Sequence, residues 1–200
     1  MSVASADPAP LILASTSRYR RALLERLGHP FDCIAPGVDE RLWKGRGLSP
    51  RELVRQLALA KATAVASAHP GAIVIGSDQC ASLDGAILGK PHTRDNAIAQ
   101  LVLMAGRTHE LLTGVAVIGP DGEVTGHIDV HRLTMRTLGV EAIARYVDAD
   151  EPLDCAGSYK IEGRGVALFE RVEGDDGTAI IGLPLMWVAR TLTALGVVTP

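Results

Sequence analysis

Short apolar runs and helically spaced apolar positions alternate along the chain, and this alternation predicts a mixed fold. Leu11-Ile12-Leu13-Ala14 reads as a brief buried strand. Ser15-Thr16-Ser17 then offers helix-capping hydroxyls, Ala22, Leu23, Leu24 and Leu27 recur at helical spacing over Arg18 to Leu27, and Gly28 is a natural stop. Phe31 to Ala35 reads as a second strand ending at Pro36-Gly37. Ser49-Pro50 opens a long helix: Ser49 caps it, Pro50 takes the first helical position, and Glu52 falls three residues after the cap. Leu53, Leu57, Ala60 and Ala64 supply its expected apolar face. Ala72 to Gly76 reads as a buried strand and Thr93 to Met104 as a helix. Val115 to Ile118 and Val124 to Met135 read as strands joined by a turn at Pro120-Asp121-Gly122. Val140 to Val147 is an expected helix, Val166 to Val172 a strand and Leu185 to Leu195 a closing helix. The predicted class is α/β.

Bulk properties narrow the function. A length of 200 residues suits one domain, expected over 10–200, preceded by a loose tail at 1–9. A formal net charge of -3 and only 4% aromatic residues argue against a nucleic-acid-binding module, which needs basic grooves and stacking rings. Cys33, Cys80 and Cys155 are scattered and form no CxxC pair, so neither a disulfide framework nor a structural zinc is expected, and a reducing compartment fits. The start lacks a basic leader, and its apolar stretch is too short to span a membrane. A cytoplasmic protein without a membrane partner is the expectation.

Candidate chemistry begins at Arg18, Arg20 and Arg21, three cations in the first turn of a helix, where the macrodipole disfavours positive charge. A bound anion explains them: free N–H groups, the hydroxyls of Ser15 and Ser17, and guanidinium forks converge there, as a polyphosphate requires. Arginines fanning into solvent are the bland alternative. No GxxxxGK[ST] loop occurs. Asp78 lies just past a buried strand, where chemistry gathers in α/β proteins, and Gly76-Ser77 beside it permits close backbone approach. Asp39 and Glu40 follow the second strand. Carboxylates near a triphosphate suit a magnesium ion, which takes oxygen ligands and bridges protein to phosphate. Lys61 and Lys90 are further cations that could reach a phosphate. His127, Asp129 and His131 alternate along one strand, so they share a face. That face is expected to meet solvent, with Ile128 and Val130 inward, rather than to hold a metal.

Together these stretches resemble the Maf family of nucleotide pyrophosphatases. The resemblance rests on Leu13-Ala-Ser-Thr-Ser with Arg20-Arg21 and Leu23-Leu24, Val38-Asp39-Glu40, Ala60-Lys61-Ala62, Gly76-Ser77-Asp78, Gly89-Lys90-Pro91, Thr113-Gly114-Val115, and Ala156 to Gly163. Their order covers residues 10 to 196. The resemblance implies a Maf-like (ITPase-like) fold, an elongated, twisted mixed sheet with helices and two lobes around a central cleft. It implies a divalent metal, Mg2+ or Mn2+, a nucleoside triphosphate substrate and often a homodimer. Asp78 is the implied proton acceptor and, with Glu40, a metal candidate. Ser15, Ser17, Arg20, Arg21, Lys61 and Lys90 are the implied phosphate ligands. Water would attack the α-phosphorus and release a monophosphate and diphosphate.

Tyr19, Gln79 and Glu162 stand where members acting on dTTP and UTP have arginine, threonine and glutamine, and resemble the subgroup that hydrolyses 7-methyl-GTP. Guanine's N1–H and amino group are two donors that a carboxylate accepts together. N7-methylation makes the purine cationic, and stacking on an aromatic ring then gains about 0.5–2 kcal/mol. Arg18 replaces a common proline, and Tyr19 replaces the subgroup's frequent tryptophan. Removal of modified nucleotides before they enter nucleic acid is an expected purpose. The alternatives are the same reaction on dTTP or UTP, and a nucleotide-binding regulator of septum formation.

Overall fold

A computed structural model describes residues 9–197, apart from the Lys44 side chain. The expected tail at 1–9 lies outside the described residues except for Ala9, which packs at the edge of the core. Seven strands form one mixed sheet: β1 (Leu11–Leu13), β2 (Asp32–Cys33), β3 (Ile73–Leu83), β4 (Ala86–Leu88), β5 (Thr108–Ile118), β6 (Val124–Met135) and β7 (Phe169–Glu173). The order is β2-β1-β3-β5-β6-β7, with β4 paired to β3. β1 runs parallel to β2 and β3, and the remaining pairs are antiparallel. The helices are α1 (Arg18–Glu25), α2 (Glu40–Lys44), α3 (Pro50–Ala66), α4 (Arg94–Met104), α5 (Val140–Asp150) and α6 (Leu185–Ala194).

Local signals explain the starts of these elements. Ser17, Ser49 and Thr93 each accept a backbone N–H as caps of α1, α3 and α4. The β5–β6 turn closes as expected, with Gly122 at φ 85° and Gly119 N–H donating to the Glu123 carbonyl at 2.8 Å.

Two strands are longer than their apolar runs. β3 and β5 each span 11 residues and pair without interruption from Val74↔Ile118 to Ser82↔Glu110. Asp78 therefore lies inside a strand, not past its end. Ser77, Asp78 and Gln79 break the apolar pattern while the backbone ladder continues. Three further expectations are corrected. Arg164–Leu168 forms a 3-10 turn, so β7 starts at Phe169 rather than Val166. The buried stripe of α3 is Leu53, Val54, Leu57, Ala58, Lys61, Ala62 and Val65, while Ala64 is exposed and Ala60 half-buried. Steps of four from Leu53 and Val54 place a lysine on that stripe. Finally, Asp129 and His131 are buried at 4% and 3% exposure, whereas Ile128 and Val130 are half-buried. The chain after β7 covers that face: a Cβ on Gly174 would meet the His131 ring at 2.4 Å.

The apolar core divides along β3. At one end Leu13, Leu24, Ile73, Ile75, Val117 and Leu183 pack together, with Ile12, Ala58, Val74 and Ala116 forming a further cluster beside them. At the other end Leu83, Leu101, Met104, Leu133, Met135 and Ile143 form a second core. Two glycines let α3 lie directly on the sheet between them. A Cβ on Gly76 would stand 2.3 Å from the Ala58 carbonyl, and one on Gly114 would stand 2.5 Å from that of Val54.

Candidate active site

A cleft opens between the two cores, over the middle of β3. Its inner part is charged. Lys61, carried on the buried stripe of α3, places Nζ 2.7 Å from Asp78 Oδ1 and 2.7 Å from Glu40 Oε1. Glu40 starts α2, which Asp39 caps by accepting the Arg41 N–H; Asp39 is thereby used as a cap. Arg20 turns in from α1, where Nε donates to the Gly182 carbonyl at 3.0 Å and Nη1 reaches Ser15 Oγ at 3.5 Å. Burial pushes the Asp78 carboxyl above the ordinary carboxylate range, against the opposing pull of Lys61 and Arg20. Burial lowers the Arg20 guanidinium, and Asp78 and Glu40 counter it.

The outer part is aromatic and irregular. Tyr19, Gln79, Glu162, Tyr159, Ile161 and Ile180 line it. The Arg18 guanidinium lies 4.8 Å from the Tyr19 ring centre and donates to its hydroxyl at 2.8 Å. Tyr159 follows a turn in which Gly157 and Ser158 are both left-handed, at φ 76° and 62°. Gln100 on α4 ties two cleft loops together. Its Nε2 donates to the Gly89 carbonyl at 3.1 Å, and its Oε1 accepts from Ser158 Oγ at 2.6 Å. Beneath Tyr159, His109 Nε2 lies 3.0 Å from the Tyr159 hydroxyl, and burial depresses the imidazole to about 4. Cys155 also lines the cleft; burial, then Asp154, pushes its thiol up to about 12, which leaves it protonated and unreactive.

Most of the residues singled out in the sequence meet here. Ser17, Arg20, Glu40, Lys61, Asp78 and Lys90 line the cleft with Tyr19, Gln79 and Glu162, and Ser15 lines its continuation along the β1–α1 turn. Arg21 does not join them: it is exposed on α1 and pairs with Glu25 at 3.0 Å. His131 and Asp129 form a separate buried contact at 2.8 Å, and His127 stacks on Trp187. Among the described residues no group of three or more His, Cys, Asp or Glu is arranged to hold a metal ion, and no helix is long and apolar enough to cross a membrane. Sequence reasoning assigned nothing to Gln100 or His109, whose partners lie far along the chain. It assigned no role to Thr113 either, although that residue opens one of the quoted motifs.

A family model described as Maf-like protein matches residues 10–195. A Xanthomonas oryzae pv. oryzae protein named 7-methyl-GTP pyrophosphatase is 50% identical over 186 residues, spanning 93% of this chain and 96% of its own. A Pseudomonas fluorescens protein of the same name is 47% identical over 195 residues, spanning 96% and 99%. Among solved structures, a HAM1 protein from Coxiella burnetii shares the fold, with a TM-score of 0.51 over 93% of this chain and 99% of its own at 15% identity.

Proposed function

The chain belongs to the Maf family, and from that premise we propose that it hydrolyses the α–β phosphate bond of 7-methyl-GTP, giving 7-methyl-GMP and diphosphate. One observation carries the reading: a buried carboxylate, Asp78, sits between Lys61 and Arg20 at the floor of a cleft that exposed Lys90 also lines and whose rim carries Tyr19 and Glu162. Cations at the floor suit a triphosphate, and an aromatic ring with a carboxylate at the rim suits a cationic purine.

In the proposed reaction the triphosphate lies along Ser15, Ser17, Arg20, Lys61 and Lys90. A water oxygen bonds to the α-phosphorus as the bond to the α–β bridging oxygen breaks. The water's proton passes to Asp78. Lys61 holds Oδ1 of that carboxylate, and none of the described residues donates to Oδ2, the oxygen free to take the proton. Diphosphate leaves with the bridging electron pair, and Arg20 and Lys90 offset the charge that builds on it. Arg21, on the outer side of α1, has no part in this arrangement unless α1 moves.

A divalent cation belongs to the same proposal, and the donor set fits one. Asp78 and Glu40 converge on a single cationic atom, and magnesium is held through one or two carboxylates together with substrate phosphates. Bound there, Mg2+ or Mn2+ would screen phosphate charge and acidify a water ligand. The rival readings are UTP or dTTP as substrate, and nucleotide binding without turnover. Diphosphate release measured with magnesium across 7-methyl-GTP, GTP, UTP, dTTP and CTP tests all three. A clear lead for 7-methyl-GTP is expected. A lead for UTP or dTTP overturns the substrate, and absence of turnover overturns the reaction.

A further inference from the structure

Gln79 stands where the charged floor meets the aromatic rim, and its amide is not free to turn. Nε2 lies 2.8 Å from Thr113 Oγ1, 3.0 Å from the Ala179 carbonyl and 3.2 Å from the Ile180 carbonyl. Main-chain carbonyls only accept hydrogen bonds, so the amide nitrogen must face them. The Thr113 hydroxyl spends its proton on the Ala179 carbonyl at 2.9 Å, which leaves a lone pair for the Gln79 N–H.

Three separate stretches build this clamp. Gln79 on β3 and Thr113 on β5 are direct ladder partners. The carbonyls come from the 3-10 turn Ala179–Ile181. Thr113 is 1% exposed, so water does not substitute for it. A flipped amide would turn Oε1 towards two carbonyl oxygens and a hydroxyl whose proton is already committed, a buried arrangement of acceptors alone. In the clamped state Oε1 receives no hydrogen bond from the described residues, while Gln79 lines the cleft.

We infer that Thr113 is a positioning residue: with the Ala179 and Ile180 carbonyls it fixes Gln79 as a group that can only accept from a nucleobase. This inference rests on the function proposed above and deepens it. An unrestrained glutamine amide can rotate to offer either a donor or an acceptor. The clamped one offers Oε1 alone, and Glu162 at the rim also only accepts. Two acceptors call for two donors on the base. Guanine and 7-methylguanine carry two side by side, N1–H and the 2-amino group. Uracil and thymine carry one, N3–H, between two carbonyls. Rejection of pyrimidine nucleotides thus depends on a buried threonine as well as on the residues that face the base.

The test replaces Thr113 with valine, which keeps the shape but removes the hydroxyl that ties the Ala179 carbonyl, and with it the 179–181 turn, to β5, so that the carbonyls no longer hold the amide in place; kcat/KM is compared for 7-methyl-GTP, GTP and UTP. The expected result is a roughly tenfold fall in the ratio of each purine to UTP, with Thr113→Ser restoring it. A purely structural role would lower all three alike, and that outcome overturns the inference. The clamp is also read in the unsubstituted protein: Gln79 side-chain amide protons, followed by NMR, should exchange slowly with solvent. Exchange as fast as that of a free glutamine overturns it without any variant. A wild-type enzyme that favours GTP over 7-methyl-GTP, yet loses its GTP-to-UTP preference in Thr113→Val, refutes the proposed substrate and supports the clamp.

Discussion

The floor and the rim of the cleft are built differently. Asp78 and Lys61 are carried by an uninterrupted strand and a long capped helix, are buried, and hold each other at 2.7 Å. Tyr19 and Glu162 sit at the start of a helix and in a loop flanked by 3-10 turns, half-buried and exposed. Gln79 alone among the three residues proposed to face the base is on β3, and its amide nitrogen is held by three acceptors. Regular elements fix side chains more tightly than loops do, so this division suits chemistry common to every nucleotide at the floor and choice among nucleotides at the rim.

Substitutions at the two ends should therefore differ in kind. The largest effect is expected at the floor. Asp78→Asn keeps the shape and the contact to Lys61 but removes the proposed base, and should cut kcat about 10³- to 10⁴-fold for every nucleotide turned over. Its thermal stability should not fall, because burial disfavours the ionised carboxylate that the substitution removes. Near-normal turnover, or a loss confined to one nucleotide, would break the distinction.

Acid should separate the ends by another route. The proposed reaction requires ionised Asp78, so kcat/KM should fall as pH drops through a value above the ordinary carboxylate range. Stability depends on His109 beneath the rim. Its folded value is depressed to about 4, while an unfolded histidine titrates near 6.5. Above about 6.5 both states are neutral and the contribution is constant. Between there and 4 the unfolded chain takes up a proton that the fold refuses, so stability should drop by roughly 3 kcal/mol. Denaturant melts of His109→Gln across that window should show a flatter profile, and an unchanged slope would move the effect to other groups.

The smallest expected effect is the most selective. Glu162→Gln should leave melting temperature and UTP turnover nearly unchanged, while 7-methyl-GTP loses about tenfold in kcat/KM. An equal loss on both nucleotides would make Glu162 part of the common machinery and blur the line between floor and rim.

What could be read from the chain follows the range of the signals. The β1–α1 turn, the cap of α3 and the 120–122 turn depend on neighbours in sequence, and they form as expected. The lengths of β3 and β5 do not, because their polar central residues are covered by α3 and by the turn at 179–181. Arg20 and Arg21 are adjacent in the same first turn, and helical periodicity could not rank them. The inward contact to Gly182 and the outward pair with Glu25 separate them. Asp129 and His131 read as a solvent face because Gly174, which closes over them, lies well downstream. The floor residues were recognisable as an ordered set of motifs; the clamp on Gln79 was hidden, since two of its acceptors are backbone atoms that any sequence would possess.

The missing side chains at Gly76 and Gly114 have a consequence beyond packing. Because α3 touches the sheet backbone at both points, the separation of Lys61 from Asp78 is set by how closely one helix seats, not by either side chain's reach. The pair is thus a gauge of tertiary closure. Lifting α3 by the width of one methyl group would part the two charges while every helix and strand remained intact, so on the proposed mechanism activity should report on the seating of a single helix, a quantity to which secondary-structure content is blind.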